Sequence, residues 1–126
     1  MGNERLIIRP EQMRALGLAF TESTRVQLED HCWFTYPDLC EELGEAEVTR
    51  LVRVGIELAK ESGYETYADT LSLVELTVFW GEDFQEKDAW ARRIWRANLP
   101  ADRKLMALTA AASEERIREI QEEGDA

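Results

Sequence analysis

Apolar and polar positions repeat with a helical period through most of the chain, most cleanly between Gly44 and Gly81. In residues 45–62, Val48, Leu51, Val52, Gly55, Ile56, Leu58, Ala59 and Ser62 fall on one side of a 3.6-residue helix. Arg50, Arg53, Glu57, Lys60 and Glu61 fall on the other. Gly55 and Ala59 stand one turn apart in the middle of the apolar face. A glycine inside a helix costs roughly 1 kcal/mol relative to alanine, so its presence there predicts close approach by a neighbouring helix. Gly63 sits where a left-handed C-terminal cap favours a residue without a side chain. Thr66, with Asp69 three residues on, forms a capping arrangement that starts a second helix. Two helices joined by so short a turn are expected to form an antiparallel hairpin.

The second helix has Leu71, Val74, Val78 and Phe79 on one side, with Leu73, Leu76 and Trp80 spread round the rest. A helix apolar nearly all round is central to its fold. Glu75 projects between Leu71, Val78 and Phe79, and a carboxylate so placed requires a donor: an arginine, a histidine or a backbone amide. A functional acid is the alternative. Gly81 ends the helix.

The flanking segments read as cover for this pair. Residues 1–8 form an extended lead-in whose Leu6, Ile7 and Ile8 pack on the bundle. Pro10 and Glu11 suit the first turn of a helix. Met13, Leu16, Phe20, Thr24, Leu28 and His31 carry that helix to about Phe34, where Tyr36-Pro37 stops it. Residues 38–44 are a short helix or a turn anchored by Leu39 and Leu43. After Gly81 a polar loop, GEDFQEKD, plugs Phe84 into the core. A short helix follows, with Trp90, Ile94 and Ala97 inward and Arg92, Trp95 and Arg96 on another face. Pro100 opens the last helix along Leu105, Leu108 and Ala112. Beyond Ser113 the chain is mostly charged, docked by Ile117 and Ile120, and residues 121–126 fray. Nothing alternates with period two for long enough to demand a strand. The expected fold is all-α: one domain over residues 1–126, a single compact bundle of about five helices around a central antiparallel helical hairpin.

With 126 residues the chain is long enough to bury a core without metal or disulfide staples. Its 26 acidic and 15 basic residues give a net charge of -11, spread along the length. Diffuse negative charge disfavours nucleic acid and anionic membranes; it suits solubility, as an ordinary solvated surface, or else a basic protein partner. No basic segment followed by a long apolar run opens the chain, and Leu6-Ile7-Ile8 is too short to span or to target, so a cytoplasmic protein is expected. Cys32 and Cys40 read as reduced, partly buried thiols. With His31 they offer at most three ligands, unlike a structural zinc site, so neither metal nor cofactor is expected.

Catalytic patterns are missing from the sequence. His31 is the one histidine, and its neighbour Cys32 points about 100 degrees away on a helix, too far for a dyad. By exclusion, His31 is expected to close the core at the end of the first helix, paired with a carboxylate such as Glu75. Glu41-Glu42, Glu82-Asp83 and Glu114-Glu115 read as solvated surface, and the glycines form no phosphate loop. No enzyme activity and no small-molecule substrate are expected. The basic and aromatic cluster Arg92, Arg93, Trp95 and Arg96 suits an acidic protein surface, unless its arginines pair with the molecule's own acids. Trp33, Phe34 and Tyr36 form a second aromatic cluster, of which at least one ring must point off the core stripe, to be covered by later chain or by a partner. The candidate partner-binding residues are Trp33, Tyr36, Arg92, Trp95 and Arg96. His31 and Glu75 are the candidate buried polar pair.

Three strings, HCWFTYP (31–37), GIELAKESGYET (55–66) and VFWGEDF (78–84) followed by Trp90, are similar in order and spacing to a known set of elements. They resemble the His-Leu-x-x-x-Phe-Pro, Gly-Ile-x-x-Ala-x-x-x-Gly-Ile-x-x-Glu and Leu-Gly-x-Asp-Phe…Trp segments of a family of small helical accessory proteins. These proteins are encoded beside the spike-tip (PAAR) and adaptor-chaperone genes of bacterial type VI secretion clusters. The resemblance runs from about Leu6 to Leu108. Cys32 departs from the usual leucine, Tyr64 from isoleucine and Ala68 from arginine. The resemblance carries over no catalytic residue. It implies a non-enzymatic cytoplasmic co-chaperone that binds the adaptor-chaperone during effector loading. An immunity protein, whose acidic surface blocks a toxic effector, is the alternative.

Overall fold

In a computed structural model, the described residues, 18–125, form seven helices and no strand, with side-chain surroundings described from Glu22 to Glu123. The helices are α1 (Leu18–Thr35), α2 (Pro37–Leu43), α3 (Glu45–Glu61), α4 (Tyr67–Trp80), α5 (Phe84–Lys87), α6 (Ala89–Trp95) and α7 (Ala101–Asp125). The expected lead-in at Leu6–Ile8, the start at Pro10, the stripe positions Met13 and Leu16, and residue 126 lie outside the described residues; Phe20 and residues 124–125 are described in backbone only.

Local chemistry sets most boundaries. Pro37 both ends α1, by restricting Tyr36, and opens α2 at its first turn, where its missing N–H is not needed. α3 closes in a Schellman motif: the Tyr64 amide donates to the Ala59 carbonyl (2.9 Å) and the Gly63 amide to that of Lys60 (3.2 Å). Gly63 holds φ +86, which L side chains rarely adopt. The Thr66 hydroxyl accepts from the Asp69 amide at 3.1 Å and caps α4.

α3 and α4 share the most extensive helix contact in the described residues. At its centre Gly55 lets the α4 backbone come close: a Cβ on residue 55 would lie 2.7 Å from Val74 Cα. Around this pair the core divides in two. One cluster gathers Leu28 and Cys32 of α1, Cys40 of α2, Val48, Leu51, Val52 and Ile56 of α3, and Val74 and Val78 of α4. The other joins Ala59 and Tyr64 with Leu73 and Leu76 of α4, Phe84, Ala91, and Leu105, Leu108 and Ala112 of α7. α4 is therefore a wall buried from both sides, which is why apolar residues surround nearly its whole circumference.

Three expectations are corrected. The described residues hold seven helices rather than about five. The stretch expected as a polar loop contains α5, wound from Asp83 in the left-handed region (φ 64) and closed by Lys87 and Asp88 amides on the Asp83 and Phe84 carbonyls. Its Phe84 is fully buried. Finally, Ile117 and Ile120 do not dock the last helix: both are exposed, and α7 continues as helix to Asp125.

Candidate binding groove

The last turn of α4 places Phe79 and Trp80 at the edge of the wall, half-buried, where α7 passes over them. Tyr36, held in the bend between α1 and α2, sets its ring edge-on to Phe79 at 6.3 Å. Phe79 meets Trp80 at 5.3 Å, and Trp80 meets Trp90 at 5.3 Å. Trp90 stacks on the buried Phe84 at 6.3 Å. A continuous aromatic row thus runs from the second core cluster to the surface at Tyr36. From α7, the Arg116 guanidinium lies 4.6 Å from the centre of the Phe79 ring, a cation over a π face.

Clefts open on either side of this row. Between α4 and α7 a largely apolar groove of about 470 Å³ is lined by Glu75, Leu76 and Phe79 on one wall and by Thr109, Ser113 and Ile117 on the other. Tyr36, Trp80 and Arg116 also bound a second cleft, closed by Pro37, Asp38 and Glu42 of α2.

At the rim of the groove Glu75 anchors a small polar cluster. Its Oε2 lies 2.8 Å from His31 Nε2, and the Tyr36 hydroxyl donates to the same oxygen at 3.5 Å. Burial, then the Glu75 charge, pushes the Tyr36 phenol up from its ordinary value, so it stays a donor at neutral pH. The cluster ties the end of α1 to α4 and fixes the Tyr36 ring. Both His31 and Glu75 are about a third exposed (34% and 30%), a correction to their expected burial. Neither makes a dyad with a thiol. Cys32 and Cys40 are free and fully buried, and burial pushes the Cys32 thiol up to about 12, leaving it protonated and unreactive.

The structure does not bring the candidate partner-binding residues together. Trp33 is half-buried against the first core cluster, and Tyr36 lines the groove. Trp95 packs against the second cluster under the Lys104 ammonium, which lies 5.6 Å from its ring and donates to the Trp95 carbonyl. Arg92 and Arg96 are exposed but turn back on α5: Arg96 bonds the Glu86 carboxylate at 2.8 Å and Arg92 the Glu86 carbonyl at 3.2 Å. Phe34 is the ring left over, 88% exposed.

Phe79, Trp80 and Arg116 are the groove residues that sequence reasoning missed. The two rings carried a usable signal, since a helix apolar on every side must leave some apolar surface at its end. Arg116 carried none. Among the described residues no group of three or more His, Cys, Asp or Glu side chains is arranged to hold a metal ion, and no helix is long and apolar enough to cross a membrane. Comparison with protein-family models, with curated proteins and with solved structures finds no match for the chain.

Proposed function

We propose that this chain is a non-enzymatic protein-binding module, a co-chaperone that docks on an effector adaptor-chaperone in the bacterial cytoplasm during type VI secretion effector loading. The observation that carries the binding role is the half-exposed row Tyr36, Phe79 and Trp80 with Arg116 laid over it. Aromatic and arginine side chains are the residue types that anchor protein interfaces: the rings bury much area and lose little freedom on binding, and Arg116 is already held over Phe79. The α3–α4 hairpin, backed by two core clusters, supplies that floor. The secretion setting rests on the resemblance of the three strings alone.

Calorimetry with the purified adaptor-chaperone tests this. A Phe79→Ala, Arg116→Ala variant is expected to bind at least about tenfold more weakly with its circular dichroism unchanged, since each anchor is worth about 1–2 kcal/mol. Undiminished affinity would place the interface elsewhere, and a Trp95→Ala, Arg96→Ala variant then examines the α6 face. The immunity reading is favoured by a different feature, the cleft edged by Glu57, Glu61, Glu82 and Asp83, in which a basic toxin surface would find complementary charge. Rescue of cells expressing the free toxin domain supports that role, whereas a co-chaperone need not rescue.

A further inference from the structure

The outer end of the aromatic row also floors the second cleft, of about 650 Å³, between α2 and α7. Tyr36, Phe79 and Trp80 supply its rings, and its walls carry charge. Asp38 and Glu42, four residues apart, share one face of α2, and Glu119 lies on α7. All three acids are exposed, and none makes an ion pair or a side-chain hydrogen bond with another described residue. Arg116, one turn before Glu119, also lines the cleft, but it lies over Phe79 rather than against a carboxylate.

Three carboxylates against one guanidinium leave the cleft negative. The ring faces add to that sign, because an aromatic quadrupole is negative above its plane. A low-dielectric wall beside the acids concentrates their field. A purely apolar side chain entering here would cover the rings and take water from the carboxylates without replacing it. An acidic one would be repelled. A side chain with an apolar stem and a cationic head satisfies both parts, since the stem covers the rings while the head reaches the acids.

We propose that this cleft receives an arginine or lysine side chain from a basic segment of the protein partner. On the reading of the aromatic row as a protein-binding surface, on which this rests, the row's outer end selects a partner with a cation at the edge of its contact. The secretion setting is not needed for it. The described chain enters the fold at Leu18, at the opposite end of α1 and about 26 Å along that helix from Thr35 beside the cleft.

A tetra-arginine peptide, with tetra-citrulline as its neutral isostere, tests the cleft. Titrated into the full chain at physiological ionic strength, where distant charges are screened, the arginine peptide should bind by calorimetry and shift the NMR signals of Asp38 and the Trp80 indole. The citrulline peptide should bind at least about tenfold more weakly, having lost the charge-assisted bonds. Asp38→Asn with Glu42→Gln should weaken the arginine peptide about tenfold with circular dichroism unchanged, because both side chains are exposed. Glu57→Gln with Glu61→Gln removes the same charge from the other acidic cleft and should leave the affinity as it is.

Equal binding of the two peptides, or no binding of either, overturns the proposal. So does an equal loss on replacing Glu57 and Glu61, which would mark attraction to the molecule's overall charge. Arginine-peptide binding that appears only after Arg5→Gln, Arg9→Gln and Arg14→Gln overturns it too, since the occupant is then the chain's own first segment. The groove reading fails separately: an adaptor-chaperone indifferent to Phe79→Ala, Arg116→Ala sinks that reading while the peptide result still decides the cation site.

Discussion

Gly55 occupies a helix interior, where alanine would raise helix stability by roughly 1 kcal/mol. Here the substitution should do the reverse. The added Cβ would stand 2.7 Å from Val74 Cα, a backbone atom that moves only if α3 and α4 separate. Overpacking of this kind costs about 1–3 kcal/mol, and urea unfolding of Gly55→Ala should show a lowered midpoint with an unchanged slope. An unchanged or raised midpoint would mean that the two helices part without cost. Gly63→Ala meets no neighbour and is resisted only by its positive φ.

Cys32 makes a pH prediction. Its folded thiol is raised from the ordinary 9.0 to about 12, because burial disfavours the thiolate. Below about pH 9 both folded and unfolded chains hold the proton, and stability is unaffected. Between about 9 and 12 the unfolded chain releases it and the folded chain does not, so stability falls as pH rises through this window. Cys40, Tyr36, Tyr64 and Tyr67 are also raised and act in the same direction. Urea midpoints between pH 8 and roughly 10.5 should fall more steeply for the native chain than for Cys32→Ala. Equal slopes would remove Cys32 from the account.

At the scale of elements, legibility followed how far apart the causes lie. Gly55, Gly63, Thr66 and Glu75 each break or satisfy a rule within a turn or two, so the sequence exposes both the anomaly and the partner type it requires. α5 has four residues, about one helical turn, and no periodic signal fits in so short a span. The groove was hidden for another reason: Tyr36, Phe79 and Arg116 belong to three distant segments and meet only when α7 docks. The exposed side of α7 was equally obscured. Ile117 and Ile120 read naturally as anchors, and only the burial of Leu105, Leu108 and Ala112 on a different face shows that they point outward. Of the site residues expected, Tyr36 and Glu75 line the groove, and His31 reaches it through its bond to Glu75. Trp33, Arg92, Trp95 and Arg96 lie elsewhere, spent on the molecule's own packing and ion pairs.

Across the whole molecule, the division of the core by α4 governs how the chain comes apart. Loss of α7 would uncover Leu73 and Leu76 but leave Val74 and Val78 sheltered. Release of α1 and α2 would expose the first cluster yet keep α4 covered from the far side. Partial openings therefore remove one flank at a time, and α4 is the segment common to what remains. Native-state hydrogen exchange should find the slowest amides from Leu73 to Val78, exchanging only with the free energy of global unfolding, while α2 and the end of α7 exchange sooner. If amides of α1 outlast those of α4, the partition is not the last structure to yield. Such a chain keeps its most persistent structure in the middle, and wear at either flank remains a local and reversible event.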